Sequence, residues 1–513
     1  MSLNAPAPVS VVNTLRDAFR WVEHCLAVLS ESLGHGTLGE LGSTAQRTSM
    51  STAFSGIGGA EVAAGCISAG LATFTGETAH LKNTYAFEVR PESRHELALL
   101  TNAPACIFGD LTDLLNPQVR DVLKDQAPRM QYEDLRKIIS TNGVVRDRAY
   151  CYTHKQTCEC QPATIHVAGT SCVSWSQQGQ KAGASGPTLL PFLIWAERRI
   201  MESKEHEEAF LHENMLEFPE ALLHDLFGAT HVIQTAIVDS ARVGQACDRR
   251  RRLTWMVSKK HVCERLQWPE FEKRFRRHCA IDWSAYFIAG KHELEKELEW
   301  AKQRPSLKKP PSRRLSRSPF EAALNNMEWD FLTKYKDMHK GCDLVVMLNQ
   351  NPDKHAHTSA GKRTLPTLIK NTHMLYSTRH HRWLTPYELL VVQNFPVYDF
   401  LSQHGETCSF NRARETLRLS PRRRSVICEQ AGNSMNVNVM GIALLWWLVK
   451  KSDACAQSSL LRSVAIGFKA RLLQRTISDA SSVASRATVA DEDDETAGTR
   501  SEACPPAKRN KNC

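Results

Sequence analysis

The sequence predicts an α/β protein built on a doubly wound, mostly parallel sheet, with a smaller basic module inserted before the chain returns to that sheet. Three observations predict it. From about residue 50 to 258, short apolar runs alternate with helical patterns, as in MSTAF, AEVAAGCISAG, TYAFEV, SRHELALL and ACIFGD, which is the order of a parallel βαβ sheet. From 259 to about 345 the chain turns basic, helical and proline-interrupted, as in EKRFRRHC and PSLKKPPSRRLSRSP. The α/β pattern then resumes at LPTLI and runs through the apolar helix MGIALLWWLV at 440–449.

In chain order, the first element is a helix in residues 1–48. Leu15, Phe19, Val22, Leu26, Leu29 and Leu33 recur at alternating spacings of four and three, lining one face of a packing helix that Gly34 ends. Residues 49–258 form the main α/β domain, with ligands expected at the carboxyl ends of its strands. Residues 259–360 are the basic module, 361–475 the return, and 476–513 a Ser/Ala/Thr-rich tail with an acidic run at Asp491–Glu495, expected to be disordered. There is no internal repeat.

Composition narrows the function classes. With 513 residues, 42% hydrophobic and 23% charged, the chain can bury a large core. The net charge of +10 is concentrated in the basic module, which suits a polyanionic partner. Sixteen scattered cysteines and an opening without basic or apolar leader character argue for reduced thiols rather than a disulfide framework. The 440–449 run is too short to span a bilayer, so no membrane role is expected.

Four segments carry chemistry. Phe54-Ser-Gly56-Ile57-Gly58-Gly59 lies between a predicted strand and a helix, where glycines let the backbone approach a nucleotide and the helix N-terminus offers free N–H groups. Glu88 and Asp110 end the next two strands, and a carboxylate there can accept from ribose hydroxyls. GTSCVSWS at 169–176 ends a fourth strand; taken alone, Cys172 is either a buried thiol or a nucleophile. Leu211-His-Glu213-Asn214-Met215 ends another apolar run, where Glu213 could cap, pair or hold a proton. Asp248-Arg249-Arg250-Arg251-Arg252 enters a strand, so Arg249 and Arg251 share one face and Arg250 and Arg252 the other.

In this order and spacing the segments resemble the S-adenosylmethionine-dependent cytosine-5 DNA methyltransferases. Phe54–Gly59 is similar to the family's F-x-G-x-G-G, and Gly169–Gly179 to its nucleophile motif G-x-P-C-x-x-x-S-x-x-G. Glu213-Asn214-Met215 is similar to Glu-Asn-Val, and Cys247-Asp-Arg249-Arg-Arg251 to Gln-x-Arg-x-Arg. Arg382-Trp-Leu-Thr385-Pro-Tyr-Glu388 with Gln393-Asn-Phe395-Pro396 resembles the ninth motif, and Ala431-Gly432-Asn433-Ser434 the tenth. The likeness covers roughly residues 50 to 450, leaving both termini and most of 259–355 unmatched.

The resemblance implies a Rossmann-like methyltransferase fold with an inserted recognition domain. It implies that Cys172 adds to carbon 6 of cytosine, that Glu213 manages the proton at ring nitrogen 3, and that Arg249 and Arg251 share the face where Arg251 donates to the base carbonyl and a phosphate. It implies a base flipped out of a DNA duplex. S-adenosylmethionine would be held by Phe54, the backbone of Gly56, Ile57, Gly58 and Gly59, Glu88 on the ribose, Asp110 on the adenine amine, and Asn433 and Ser434 closing the pocket. Three positions depart from the family: Ser171 for the proline before the nucleophile, Cys247 for glutamine, and Met215 for valine. Proline would fix φ and remove a donor, so Ser171 bears on the rigidity of that loop.

In the module that takes the place of the recognition domain, Lys273, Arg274, Arg276 and Arg277 with Trp268, Phe271 and Phe275 interleaved are read either as phosphate and base contacts or as a solvated face over core aromatics. No metal site is assigned. Cys151, His154, Cys158 and Cys160 have only loosely ligand-like spacing, C-x2-H-x3-C-x-C. Transfer RNA is the alternative substrate, although the Cys-Phe-Thr signature of that branch is missing; a binding regulator without turnover is the alternative of another class. KKPPSRR and PPAKRNK suggest the nucleus in a eukaryote, and the cytoplasm is expected otherwise.

Overall fold

Alternating apolar strands and glycine turns assemble, in the computed structural model, into a nine-stranded mixed sheet with helices packed on both faces. Residues 8–34, 36–173, 187–261, 266–304, 316–402 and 421–452 are described. The second half of the GTSCVSWSQQG segment, the basic runs at 308–314 and 505–511, and the C-terminal tail lie outside them.

After a two-residue β1 (Val11–Val12), the sheet strands are β2 (Ser49–Ala53), β3 (Lys82–Phe87), β4 (Cys106–Phe108), β5 (Arg148–Cys151), β6 (Gln156–Glu159), β7 (Ile165–Ala168), β8 (Ala209–Asn214), β9 (His231–Asp239) and β10 (Arg250–Ser258). They lie in the order β6-β5-β4-β3-β2-β7-β8-β10-β9. The stretch from β4 to β8 is parallel, while β5, β6, β9 and β10 join antiparallel. The chain steps outward from β2 to β4, then returns to the other side of β2 with β7, so a topological switch point falls between β2 and β7. Ligands in open α/β sheets bind outside such a point.

Register sharpens this. Ala53 pairs with Phe87, and Phe87 with Phe108; on the other side Ala53 pairs with Ala168, and Ala168 with His212. One row therefore crosses five strands. The residues that follow it are Phe54, Glu88, Gly109, Gly169 and Glu213, so the glycine loop, the two carboxylates and the cysteine loop leave the sheet along one edge.

The N-terminal apolar face is helical as expected, but it belongs to two helices, Leu15–Phe19 and Trp21–Leu33, which meet at Arg20. Thr14 and Asp17 form a capping box that starts the first. Gly34, at φ 99°, caps the second. These helices and the buried helix Val437–Lys451 pack with Gly59–Thr75 into one core on the sheet.

The return at LPTLI adds no strand to the sheet. Leu365 makes a single bridge to Cys247, and the return instead supplies the helices Pro386–Val392, Pro421–Asn433 and Val437–Lys451. A separate core joins Ala301, Phe320, Leu332, Tyr335, Val346, Tyr376 and Trp383. It includes the three-stranded sheet of β12 (Val345–Met347), β13 (Leu375–Ser377) and β14 (Arg382–Trp383), numbered after β11 (His278–Cys279), which pairs with β1.

The stretch around 268–277 is not a binding face of the kind its interleaved pattern allowed. Trp268, Phe271 and Phe275 are buried in the main core, so they cannot stack on bases. Arg277 is buried and donates to the carbonyls of Val9, Asp17 and Ala18, while Lys273 pairs with Glu270 and Arg276 with Glu272. The aromatic residues outweighed the charges because burying each removes more than a hundred Å² of apolar surface from water.

Candidate active site at the strand ends

The glycine loop is shaped by conformations that few residues tolerate. Phe54 has φ 54°, and Gly58 has φ 86° where the helix Gly59–Thr75 begins. A Cβ on Gly58 would lie 2.6 Å from Leu100 Cδ1, so the position requires glycine on both grounds. The Gly56 N–H donates to Glu88 Oε2 at 2.8 Å, and the Arg90 N–H to Glu88 Oε1 at 2.9 Å. Burial raises the Glu88 pKa, and these two amides oppose the rise. Each oxygen keeps a further lone pair for a ligand hydroxyl.

Beneath this loop lies Glu61, which sequence reasoning missed. It is fully buried; Thr52 Oγ1 donates to its Oε1 at 2.5 Å, and its Oε2 has no partner. Burial pushes its pKa up to about 7, and the neighbouring Glu88 adds to the rise. In sequence it is an acid in the first turn of a helix, indistinguishable from one placed there for the helix dipole.

Asp110 accepts from the Thr112 N–H at 2.9 Å, capping the short helix Leu111–Leu114. Asn433 is exposed, whereas Ser434 is buried, with its hydroxyl donating to the Ala431 carbonyl at 3.1 Å. Beside them, Met435 touches both loops: a Cβ on Gly59 would meet its carbonyl oxygen at 2.6 Å, and one on Gly169 its Sδ at 3.4 Å. The segment Ala431–Met435 thus closes on the glycine loop and on the cysteine loop.

The cysteine loop is braced from the neighbouring strand. Thr170 Oγ1 lies 2.7 Å from His212 Nε2, and Asn214 Nδ2 donates to Thr170 Oγ1 at 2.9 Å and to its carbonyl at 3.1 Å. Burial lowers the His212 pKa to about 3, so the ring is neutral and shares a hydrogen bond with the Thr170 hydroxyl through Nε2. Two residues on, Cys172 is open to solvent. Burial of its thiol still raises the pKa, Arg251 opposes this most, Glu213 adds to it, and Arg249 opposes it again.

Glu213 and Arg251 are brought together as an ion pair, with Arg251 Nε 3.0 Å from Glu213 Oε1. Arg252, on the other face, binds Glu220 and the Leu216 carbonyl. Arg249 is buried, and its guanidinium is turned to backbone, donating to the carbonyls of Leu368, Gly432 and Ser434. Burial and the adjacent Arg251 lower its pKa to about 9. Its contacts tie the strand edge to the return segment. Cys247, in the place of the glutamine, is buried.

No protein-family profile matches the chain, and no curated protein does. Among solved structures it is similar to a prophage-encoded protein of E. coli described as a DNA modification methyltransferase (14% identity, 79% of this chain and 100% of that one, TM-score 0.40). It is similar also to the S. pombe Dnmt2 methyltransferase (11%, 79% and 98%, TM-score 0.40) and to the Entamoeba histolytica methyltransferase EhMeth (11%, 78% and 98%, TM-score 0.40). Overlaps this loose say nothing about activity, and the site stands on its own residues. No helix among the described residues is long and apolar enough to cross a membrane.

Proposed function

We propose that the chain is a cytosine-5 methyltransferase that uses S-adenosylmethionine and acts on DNA. The observation that carries this reading is the shared edge: the glycine loop, Glu88, Cys172 and the Glu213–Arg251 pair all follow one register row at the switch point of the sheet. An unactivated aromatic carbon needs a nucleophile, a proton manager and a nearby donor site, and these are the groups gathered there.

The donor's fit rests on the loop residues. Glu88 would take the ribose hydroxyls, the Gly56–Gly59 backbone and the face of Phe54 would hold the adenosyl portion, and Asp110 the adenine amine. The unpartnered Oε2 of Glu61 beneath the loop leaves an acceptor for a cationic or N–H group. Asn433 and Ser434 would close the pocket from the return segment. When bound, S-adenosylmethionine supplies a methyl group on a sulfonium, the electrophile that an enamine carbon can take.

The chain's own residues do the rest. The Cys172 thiolate adds to carbon 6 of the base, converting the ring to an enamine that is nucleophilic at carbon 5. Glu213 holds the proton at nitrogen 3 and accepts from the exocyclic amine, offsetting charge that develops on addition. Arg251, paired to Glu213, orients that carboxyl and presents positive charge to the thiolate and to the base carbonyl. Arg249 acts one step further out, as a positioning residue through the backbone of the tenth segment. Once carbon 5 carries the methyl group, loss of its proton to solvent breaks the bond at carbon 6 and expels Cys172 as the thiolate. A duplex hides carbon 6, so the base must leave the stack, at a cost of a few kcal/mol.

Burial of Trp268, Phe271 and Phe275 removes base stacking by these residues as an argument for DNA over transfer RNA. The test is therefore run on both. Full-length protein with labelled S-adenosylmethionine should methylate duplex DNA, and 5-fluorocytosine DNA should trap a covalent adduct that Cys172→Ser abolishes. Label in transfer RNA alone would reassign the substrate. Label in neither would leave a binding protein, and a Cys172→Ser protein as active as wild type would overturn the nucleophile.

A further inference from the structure

A second cluster of reactive side chains lies at the far edge of the sheet. β5 and β6 form a hairpin on the outer side of β4, with Phe108 paired to Cys151. That antiparallel register sets residue 106 opposite 153, beside His154 in the hairpin turn. Cys106 from β4 thereby joins Cys151, His154 and Cys158, and the four ligand atoms all lie within 4.8 Å of one another. Cys160, the fourth residue of the sequence pattern, is buried elsewhere, with its carbonyl accepting from Arg198.

The distances decide what the cluster is for. His154 Nδ1 lies 3.5 Å from the sulfur of Cys106, 3.4 Å from that of Cys151 and 3.6 Å from that of Cys158. One imidazole nitrogen can donate or accept a single hydrogen bond along its lone direction, so three thiols around it are not a hydrogen-bond arrangement. The three cysteines are free, not bridged. A tetrahedral zinc ion with Zn–S of about 2.3 Å and Zn–N of about 2.0–2.1 Å separates sulfur from nitrogen by about 3.5–3.6 Å. The separations to Cys106 and Cys158 fall on that edge, and the 3.4 Å to Cys151 is just short of it.

We propose that Cys106, Cys151, His154 and Cys158 bind a zinc ion in tetrahedral three-sulfur, one-nitrogen coordination. The site is structural, because four protein ligands leave no open position. It pins the edge hairpin to β4, and the pinning reaches the pocket. Tyr152, in the same turn, lies 3.0 Å from where a Cβ on Gly109 would stand. The Arg94 guanidinium sits 3.8 Å over its ring and donates to the Glu88 carbonyl at 3.0 Å. The proposal does not depend on the role of Cys172.

The test is elemental analysis of the full-length protein purified without chelator, alongside Cys158→Ser, Cys106→Ser and Cys160→Ser. Zinc at one ion per chain is expected in wild type and Cys160→Ser, falling to near zero in the other two. Should a variant fail to fold, wild type alone answers. Cobalt exchanged for zinc should give the thiolate charge-transfer band and the ligand-field envelope of a tetrahedral site, and chelation should expose Cys106, Cys151 and Cys158, but not Cys160, to alkylation. Wild type that holds no zinc after loading and dialysis, or zinc retained by Cys158→Ser and lost from Cys160→Ser, would overturn the proposal. So would a disulfide between any two of the three cysteines in the native protein.

Discussion

Thr170 shows how one hydroxyl can brace the loop that carries Cys172. The usual way to stiffen a loop before a reactive cysteine is proline, whose ring fixes φ; this chain has Ser171 there and a brace one residue earlier. Thr170→Val keeps the shape but removes the hydroxyl that meets His212 Nε2 and accepts from Asn214 Nδ2, leaving buried polar groups short of a partner. Misplacement of about 1 Å can cost up to about 10²-fold in rate. On the proposed function, Thr170→Val should lower kcat by roughly 10- to 100-fold while KM for S-adenosylmethionine stays as in wild type. Steady-state kinetics reads the split; an unchanged kcat, or a KM that rises alone, would show that Thr170 does not aim Cys172. Cys172, Glu213 and Arg251 were legible in the sequence because each sits in a short segment whose residue types answer one chemical need. His212, Thr170 and Glu61 were not, since a buried histidine, a loop threonine and a first-turn acid have commoner structural uses.

At the scale of elements, the helix Trp21–Leu33 is held by close approach rather than by its own propensity. A Cβ on Gly441 would stand 2.0 Å from Trp21 Cη2, and one on Gly70 would stand 2.4 Å from Val22 Cγ1. These glycines let three helices pack at backbone distance, and Trp21 is buried as a result. Gly441→Ala should overpack this contact and destabilise by roughly 1–3 kcal/mol. Urea unfolding would show it as a lower midpoint at unchanged slope, and the loss should shrink when combined with Trp21→Leu, because the two sites share one contact. Sequence periodicity found the apolar face of this region but joined its two helices, since the heptad-like spacing runs through Arg20 without interruption. It also could not tell that Trp268, Phe271 and Phe275 face the core, because alternation of aromatic and cationic residues looks the same on a buried edge and on a binding face.

For the whole molecule, Arg249 is one of the ties between the α/β sheet and the chain's return. Its three carbonyl acceptors belong to residues 119, 183 and 185 positions away, and a second tie runs from Glu429 to Arg90 and Lys370. Arg249→Ala would leave buried carbonyls unpaired, at about 1–3 kcal/mol, and the cost should fall on the return rather than on the sheet. Amide exchange should therefore accelerate around residues 368 and 430–436 while strands β2, β3 and β7 keep wild-type protection; uniform acceleration would mean that the arginine supports the fold as a whole. Sequence alone determined the parallel α/β character, the glycine turn and the segments bearing Cys172, Glu213 and Arg251, because strand, turn and helix signals are local and the chemistry is carried by neighbours in the chain. Only the tertiary structure decided that Cys106 rather than Cys160 joins the thiol cluster, that Arg249 faces backbone, and that five strand ends share one row. Those outcomes depend on register and packing between segments tens to hundreds of residues apart, where which side chain meets which is set by the pairing of whole strands and not by any pattern within one of them.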